Sequence, residues 1–229
     1  MGLPPAKAVT APVAWMMPGD ASMLFSRLAA ATDLSKVKLI AGSGQQHGSV
    51  YLDSTFNTLL ASLDSALDLA SQIAPALTRA TSPIWMDTST AAECAEITTA
   101  MRGPEEICRR SGSIAIERFT GPQIRRFYQS DPDAYERTSH IHLVSSFIGS
   151  VIAGKSVPMD FGDAAGMNLL NLSKLGWDTE LLAATAPNLG SKLLPPAPAT
   201  TVQGMVCSYF TTKYGLAESC RTALFTGDN

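Results

Sequence analysis

The stretch Ser43-Gly44-Gln45-Gln46-His47-Gly48-Ser49 follows an apolar, β-prone run over residues 37–41. An apolar run that gives way to glycines, amides and an imidazole predicts a buried strand that delivers polar side chains to its carboxyl end. Ligands bind at that end in open α/β sheets. Two glutamines and a histidine carry planar donors and acceptors, which suit a neutral, hydroxyl-rich molecule. A glycine-rich turn with a solvated histidine fits the same seven residues, so both interpretations stay open at this point.

The composition is that of an ordinary globular protein. The 229 residues, 45% hydrophobic and 16% charged, can bury a sizeable core in one large domain or two small ones. The formal net charge is -3, and the sequence contains no long run of Lys or Arg. Such a chain has no electrostatic footprint for nucleic acid or for an anionic membrane, so we expect neither as a partner.

No segment of the sequence indicates secretion or a membrane. Residues 1–12 lack the regions of a signal peptide, and Ala6 stands where N-myristoylation needs Ser or Thr. The longest apolar run, over 143–153, is interrupted by serines and is too short to span a bilayer. The four cysteines form no C-x-x-C pair, which predicts free thiols in or near the core and a reducing, cytoplasmic compartment.

Apolar spacing and breaker residues predict short strands that alternate with helices. We expect strands over 37–41, from Ser82 and near Val202. The expected helices cover 21–31, 91–101, 105–110, 123–129, 144–153, 181–186 and 205–214, and residues 59–77 are helical or loosely helical. This alternation predicts an α/β fold.

Two polar clusters have structural explanations. His140 and His142 alternate along a strand-like segment, which raises the question of a metal. No third ligand follows at a usual spacing, so we expect a surface strand there. Asp87 and the hydroxyls of residues 88–90 lie where a strand ends and a helix begins, and we expect the threonines to cap that helix.

Arg118 stands between an acid and an aromatic residue, immediately before the Gly121-Pro122 turn. Its planar guanidinium could donate several hydrogen bonds to a ligand. A salt bridge to Glu117 or Asp133 is the alternative.

Five segments occur in the order seen in FGGY carbohydrate kinases, and five motifs in register are hard to obtain by chance. They are Gly-Ser-Gly-Gln-Gln-His-Gly-Ser at 42–49, Trp-Met-Asp-Thr-Ser-Thr at 85–90, Glu-Arg-Phe-Thr-Gly at 117–121, Asp-Ala-Ala-Gly-Met-Asn-Leu-Leu at 163–170 and Thr-Gly-Asp-Asn at 226–229. From about Val9 to Asn229 the sequence therefore resembles this family, and within it the eukaryotic-type members that phosphorylate xylulose. The resemblance implies the amino-terminal domain of a two-domain kinase with a ribonuclease-H-like, actin-like fold, whose sugar binds between the domains.

By this resemblance, His47, Arg118, Asp228 and Asn229 bind the ketose, and Asp228 is also the catalytic base. The implied reaction is the ATP-dependent phosphorylation of D-xylulose to D-xylulose 5-phosphate, with ATP and Mg²⁺ as cofactors. The residue types agree with these roles, because a carboxylate can orient a primary hydroxyl and take its proton. The other three side chains can pair with the remaining hydroxyls and the carbonyl.

The sequence also departs from the family's pattern. No Asp-x-Gly-Thr segment, which helps hold phosphate and Mg²⁺ in the family, precedes Val9, and the carboxyl-terminal ATPase domain is absent. Pro18-Gly19 interrupts an expected helix, and we expect Asp87 and Asp163 to be structural. Residues 1–229 are thus expected to form the amino-terminal, sugar-binding domain, truncated at both ends and inactive alone. The alternatives are a non-catalytic sugar-binding or interaction module, or an FGGY kinase for another ketose or polyol.

Overall fold

The structure, a computed structural model, describes residues 7–12 and 18–228 of the chain. Short strands and helices alternate through these residues, which confirms the α/β class expected from the sequence. The strands are β1 Thr10–Pro12, β2 Leu39–Ile40, β3 Ser43–Gly44, β4 Ser49–Leu52, β5 Thr81–Pro83, β6 His140–Leu143, β7 Leu170–Asn171, β8 Gly176–Trp177, β9 Val202–Met205, β10 Arg221–Ala223 and β11 Thr226–Gly227. The helices are α1 Pro18–Ala31, α2 Phe56–Ala61, α3 Leu69–Ile73, α4 Ala91–Ala100, α5 Pro104–Ser111, α6 Thr120–Ser130, α7 Pro132–Arg137, α8 Val144–Ala153, α9 Phe161–Ala165, α10 Thr179–Thr185 and α11 Ser208–Tyr214.

The strands form small sheets, and one pairing matters most for the site. The parallel pairs β2 with β10 and β3 with β11 follow one another along the same two segments, residues 39–44 and 221–227. Strand β9 adds to β10 on its other edge in antiparallel direction. Because β3 and β11 are parallel, their carboxyl ends lie at the same end of the strand pair. The segments that follow, at 45–47 and 228, therefore start next to each other.

The antiparallel pair β4 and β6 separates two hydrophobic cores. Val50 and Leu52 of β4 belong to the core formed with α1, α2, α8 and α11. Tyr51, which points the opposite way, belongs to the core formed with helices α4 to α7 and α10. This alternation is the period-two pattern of a strand, here with both faces buried.

The prediction that His140 and His142 lie on a surface strand is wrong, because β6 lies between the two cores. His142 is 3% exposed, and its ring centroid lies 5.8 Å from that of Phe56. Burial and the neighbouring His140 lower the pKa of His142 to about 3, so the ring is neutral. The predicted shared face is present, since His140 also packs on Phe56.

Most predicted helices are present, with differences at their ends. Helix α8 has the predicted bounds, and α5 ends at Gly112, whose φ of 82° is the left-handed conformation of a helix C-cap. Helix α1 begins at Pro18, three residues before the predicted start, because a proline in the first turn gives up no helical hydrogen bond. Residues 13–17, which the predicted interruption at Pro18-Gly19 also concerns, lie outside the described residues. Residues 59–77 divide into the end of α2, then α3 and a 3₁₀ turn. Met205, the first residue of the helix predicted over 205–214, belongs to β9, and α11 begins at Ser208.

Two further expectations need correction. Thr90 does not cap α4; its hydroxyl donates instead to the carbonyl of Glu117 at 2.6 Å, which ties α4 to the start of α6. All four cysteines are free, as predicted, but Cys108 is exposed on α5 and does not lie in or near a core. Within the described ranges, none of the helices has both the length and the apolar character needed to cross a bilayer.

Candidate functional site

A pocket of about 660 Å³ opens where β3 and β11 end. It contains three of the four predicted site residues, while the fourth, Asn229, lies outside the described residues. Its lining combines amides, one imidazole, one guanidinium, one carboxylate and two aromatic rings: Gln45, Gln46, His47, Trp85, Ser113, Arg118, Phe119, Ala165, Gly166 and Asp228.

The parallel pairing of β3 and β11 brings the two halves of this pocket together. Ser43 lies opposite Thr226, and Gly44 lies opposite Gly227. The backbone N–H of Gln46 then donates to Oδ1 of Asp228 at 2.9 Å, across 182 positions of sequence. This bond holds the Asp228 carboxylate beside the 45–47 loop.

His47 has an unusual backbone conformation, with a φ of 72°. This left-handed conformation costs a non-glycine residue about 1 kcal/mol or more, and such strain persists only where neighbours enforce it. The Thr120 hydroxyl donates to the His47 carbonyl at 3.4 Å, and the imidazole lies 5.0 Å from the Phe119 ring. The side chain is 6% exposed, so the alternative of a solvated histidine on a turn is wrong.

The hydrogen-bonding roles of the His47 ring follow from its surroundings. Burial, and then the positive charge of Arg118, lower the pKa of His47 below its usual value, so the ring is neutral at pH 7. Nδ1 lies 3.2 Å from the carbonyl oxygen of Gly166. Because a carbonyl only accepts, Nδ1 carries the proton and Nε2 keeps a lone pair. His47 therefore offers the pocket an acceptor.

Arg118 is exposed at the pocket wall, and its guanidinium carbon lies 5.6 Å from the centroid of the Phe119 ring. The alternative of a salt bridge to Glu117 or Asp133 is not formed, since across the described part of the chain Arg118 has no carboxylate within ion-pair distance. Its planar set of N–H donors is directed by stacking on a ring and not by an acid.

Asp87 has the structural surroundings expected for it. Its carboxylate accepts hydrogen bonds from the N–H of Val9, from the N–H and hydroxyl of Ser89, and from the side-chain amide of Gln123. Burial favours the neutral acid, but these donors outweigh burial and hold the pKa of Asp87 below its usual value. The carboxylate is therefore saturated by its own chain.

Sequence reasoning did not single out the apolar part of the pocket. Trp85 is 52% exposed although it follows β5 closely, and Phe119 packs beneath both His47 and Arg118. The sequence signal that could have indicated this apolar wall was Trp85, a large aromatic residue in the same 85–90 segment as Asp87. With donors on Arg118 and acceptors on His47 and Asp228, these rings give the pocket the mixed polar and apolar character of a small-molecule site.

Comparison with known sequences assigns the chain to a family. Residues 72–229 match the N-terminal domain of the FGGY family of carbohydrate kinases. Xylulose kinase of Rattus norvegicus is 40% identical over 221 residues, which are 96% of this chain and 41% of that protein. Xylulose kinase 2 of Arabidopsis thaliana is 43% identical over 197 residues, which are 86% of this chain and 35% of that protein. The chain thus spans about two fifths of the length of these relatives.

Solved structures agree on the fold. A ligand-bound xylulose kinase from Lactobacillus acidophilus superposes with a TM-score of 0.75 at 18% identity, covering 97% of this chain and 42% of that one. A gluconate kinase from the same organism gives 0.76 at 18% identity, also with 97% and 42% covered. Both are carbohydrate kinases of the actin-like ATPase fold, so the fold alone does not select the sugar. The chain belongs to the FGGY family of carbohydrate kinases.

Proposed function

We propose that this chain is the sugar-binding domain of an ATP-dependent xylulokinase, which converts D-xylulose to D-xylulose 5-phosphate. The observation that carries the proposal is the convergence of His47, Arg118 and Asp228 in one pocket. The assignment of D-xylulose as the sugar is supported by relatives named xylulose kinase at about 40% identity. In this proposal Asn229 is a further sugar ligand, on the strength of its place in the Thr-Gly-Asp-Asn segment.

The pocket's polar groups would read the hydroxyls and carbonyl of an open-chain ketose. Nε2 of His47 accepts from a hydroxyl, and Arg118 donates to a carbonyl or hydroxyl oxygen. Trp85 and Phe119 cover the C–H faces of the sugar. A site built from such groups penalises an analogue that leaves one of them without a partner.

Asp228 would act as the general base. A primary hydroxyl is a poor nucleophile, and a carboxylate within hydrogen-bond reach orients it and takes its proton as the phosphoryl group is transferred. The N–H of Gln46 occupies Oδ1 of Asp228, which leaves Oδ2 for the substrate hydroxyl. The exposed position of Asp228 at the end of β11 gives that hydroxyl access.

ATP, when bound by the whole protein, supplies the phosphoryl group, as membership of a carbohydrate kinase family implies. The described residues do not fit a nucleotide or metal site of their own. The pocket lining has a single cation, Arg118, and residues 7–12 and 18–228 contain no group of three or more metal-ligating side chains. We therefore assign no residue of this chain to ATP or Mg²⁺.

Calorimetry of the chain with D-xylulose tests the binding part of the proposal. We expect saturable binding of xylulose that is weakened at least fivefold by Arg118→Ala and unchanged by Arg137→Ala, an exposed arginine on α7. Gluconate and glycerol serve as competitors. Tighter binding of either would assign the domain to another FGGY kinase, and no binding of any polyol would favour an interaction module.

A coupled assay of ADP release tests catalysis in a kinase of the relatives' length that contains this sequence. Xylulose-dependent turnover is expected, and turnover only with another sugar would overturn the substrate assignment. A cytoplasmic location and a role in xylose metabolism belong to the same proposal. The location is supported by the four free thiols and is tested by imaging the tagged protein. The metabolic role is supported by the relatives named xylulose kinase and depends on the proposed substrate.

A further inference from the structure

Asp163 is a buried carboxyl that the proposed reaction does not use. It is 1% exposed on α9, and its Oδ2 accepts a short hydrogen bond from the hydroxyl of Ser145 on α8. Its Oδ1 has no hydrogen-bond partner within the described residues, where no cation pairs with this carboxyl either. An ionised carboxylate in such a place is costly, so the group keeps its proton unless something compensates for the charge.

The carboxyl of Asp163 packs against the strand that carries Asp228. A Cβ placed on Gly227 would lie 3.0 Å from Oδ1 of Asp163, closer than side chains normally approach. On the paired strand, a Cβ on Gly44 would lie 2.6 Å from the backbone nitrogen of Ser145. The two opposed glycines therefore rest directly on the Ser145–Asp163 pair: a side chain at 44 would meet backbone, and one at 227 would have to displace the Asp163 carboxyl.

The charges around Asp163 all have the same sign. Asp160 precedes it at the N-cap of α9, and Asp228 follows the strand residue that it touches. From α8 only the Ser145 hydroxyl reaches it, and the neighbouring 45–47 loop carries His47, which is neutral. Burial, followed by the charges of Asp160 and Asp228, raises the pKa of Asp163 to about 7.

We propose that Asp163 is a positioning residue for Asp228: its carboxyl, held by Ser145 and packed on Gly227, fixes the end of β11 and couples the two acids electrostatically. This inference rests on the proposed function for the role of Asp228 as base. The positioning itself can be measured without any sugar. The positioning role proposed for Asp163 takes the place of the earlier expectation that this residue is merely structural.

Carboxyl-carbon NMR titration of the chain tests the coupling between the two acids. We expect Asp163 to titrate near neutral pH, and Asp228→Asn to lower its midpoint because a neighbouring negative charge is removed. The matched control is Asp133→Asn, an exposed acid on α7, which should leave the midpoint unchanged. A midpoint near 4 for Asp163, or one that ignores Asp228→Asn, would overturn the proposal.

Sugar affinity and backbone shifts test the positioning. Asp163→Ala should move the amide signals of Gly227 and Asp228 and weaken xylulose binding about tenfold at a temperature where the protein is folded. Asp163→Asn, which can still accept from Ser145, should restore most of that affinity. Equal affinities for Ala, Asn and the unaltered protein would leave Asp163 a purely structural residue.

The outcomes separate this inference from the proposed function. If the unaltered chain binds no xylulose, the proposed function fails, and the carboxyl titration still decides the coupling. If Asp163→Ala does not fold, the Asn variant and the Gly227 and Asp228 amide signals decide the positioning. If Asp163 and Asp228 are not coupled but the chain binds xylulose, this inference is refuted and the proposed function stands.

Discussion

Asp163 and Asp178 are carboxyls of similar burial, 1% and 4% exposed, in opposite surroundings. Asp178 caps α10 and also accepts from Arg110 and from the side-chain amide of Asn171. Although burial favours its neutral form, these donors hold the pKa of Asp178 below its usual value. Asp163 has one donor and two acidic neighbours, and its pKa is raised. The same residue type, with a similarly small exposed fraction, therefore favours its charged form in one region and its protonated form in the other.

The difference extends to the whole of each region. The network of α5 and α10 pairs nearly every charge, with Arg110 reaching Glu106, Asp178 and Glu180. Within the described residues, Arg118 of the pocket has no acid, and Oδ1 of Asp163, which lies against Gly227 beneath the pocket lining, has no donor. Saturated groups stabilise a fold, while groups left with hydrogen-bonding capacity can bind a ligand. Changes in the pocket should therefore cost activity, and changes in the network should cost stability.

The largest effect is expected for Asp228→Asn in a kinase of the relatives' length. Asparagine keeps the size of the side chain and most of its hydrogen bonding but removes the basicity, so kcat should fall roughly 10²- to 10⁴-fold. Steady-state kinetics at saturating xylulose measures this fall. Sugar binding, followed by calorimetry, should survive. Lost binding with a residual kcat near that of the unaltered enzyme would make Asp228 a sugar ligand and not the base.

Arg110→Ala should lower the free energy of unfolding, because it leaves the Asp178 carboxylate without its cation. Urea unfolding followed by circular dichroism measures the change. Arg137→Ala is the control and should stay within about 0.5 kcal/mol. Xylulose affinity of the folded Arg110→Ala protein should match that of the unaltered protein. A loss of affinity there would break the division between the two regions.

Asp163→Asn should stabilise the protein at pH 8, by at most about 4 kcal/mol, which is the linkage cost of ionising a carboxyl whose pKa rises from about 4 to about 7 on folding. The folded pKa of Asp163 is raised above the unfolded value, so between about pH 4 and 7 the unfolded chain loses a proton that the folded chain keeps. The stability contributed by this group therefore falls as pH rises through that window, and a neutral asparagine avoids the fall. Unfolding curves at several pH values measure it.

Asp178→Asn provides the opposite comparison. The pKa of Asp178 is lowered on folding, so its stabilising contribution is present above about pH 4 and is lost as pH falls through the folded pKa. Replacement should destabilise the protein at pH 7 and matter little in acid. If both substitutions shifted stability with the same sign at pH 7, the contrast between the two carboxyls would be refuted.

The smallest effect is expected for the sugar ligands. His47→Ala or Arg118→Ala should raise KM for xylulose about tenfold, since each removes a hydrogen bond remote from the reacting hydroxyl, worth roughly 1 to 3 kcal/mol. The KM for ATP should barely change. An unchanged xylulose KM in Arg118→Ala would show that its stacking on Phe119 is only structural.

Local sequence predicted the features that depend on local physics. Helix α8 has its predicted bounds because its apolar run ends at a glycine, and the 43–49 stretch does follow a strand, β2. The prediction that this strand is buried is wrong, since Leu39 is 48% exposed. The burial of His142 could not be read in this way, since it depends on β6 pairing with β4 between two cores. The predicted site residues were drawn from motif order, and the structure brings His47, Arg118 and Asp228 to one pocket.

The surroundings of Asp163 were hidden for the same reason. Its lack of a cation and its contact with Gly227 arise only when β11 packs on α8 and α9, from which it is far away in sequence. Motif reading placed it with Asp87, whose carboxylate is saturated. Two acids that were both expected to be structural can thus differ in ionisation because of packing that no local pattern encodes.

The pairing of β3 with β11 also determines when the pocket can form. The bond from Gln46 to Asp228 closes a loop of 182 positions, and closing so long a loop is entropically slow compared with forming local helices. Helices such as α8 can form from neighbouring residues, whereas the pocket needs both ends of that loop. During synthesis on the ribosome, the sugar site cannot exist until residue 228 has emerged from the exit tunnel. We therefore expect acquisition of xylulose binding to lag behind acquisition of helical structure when the protein refolds.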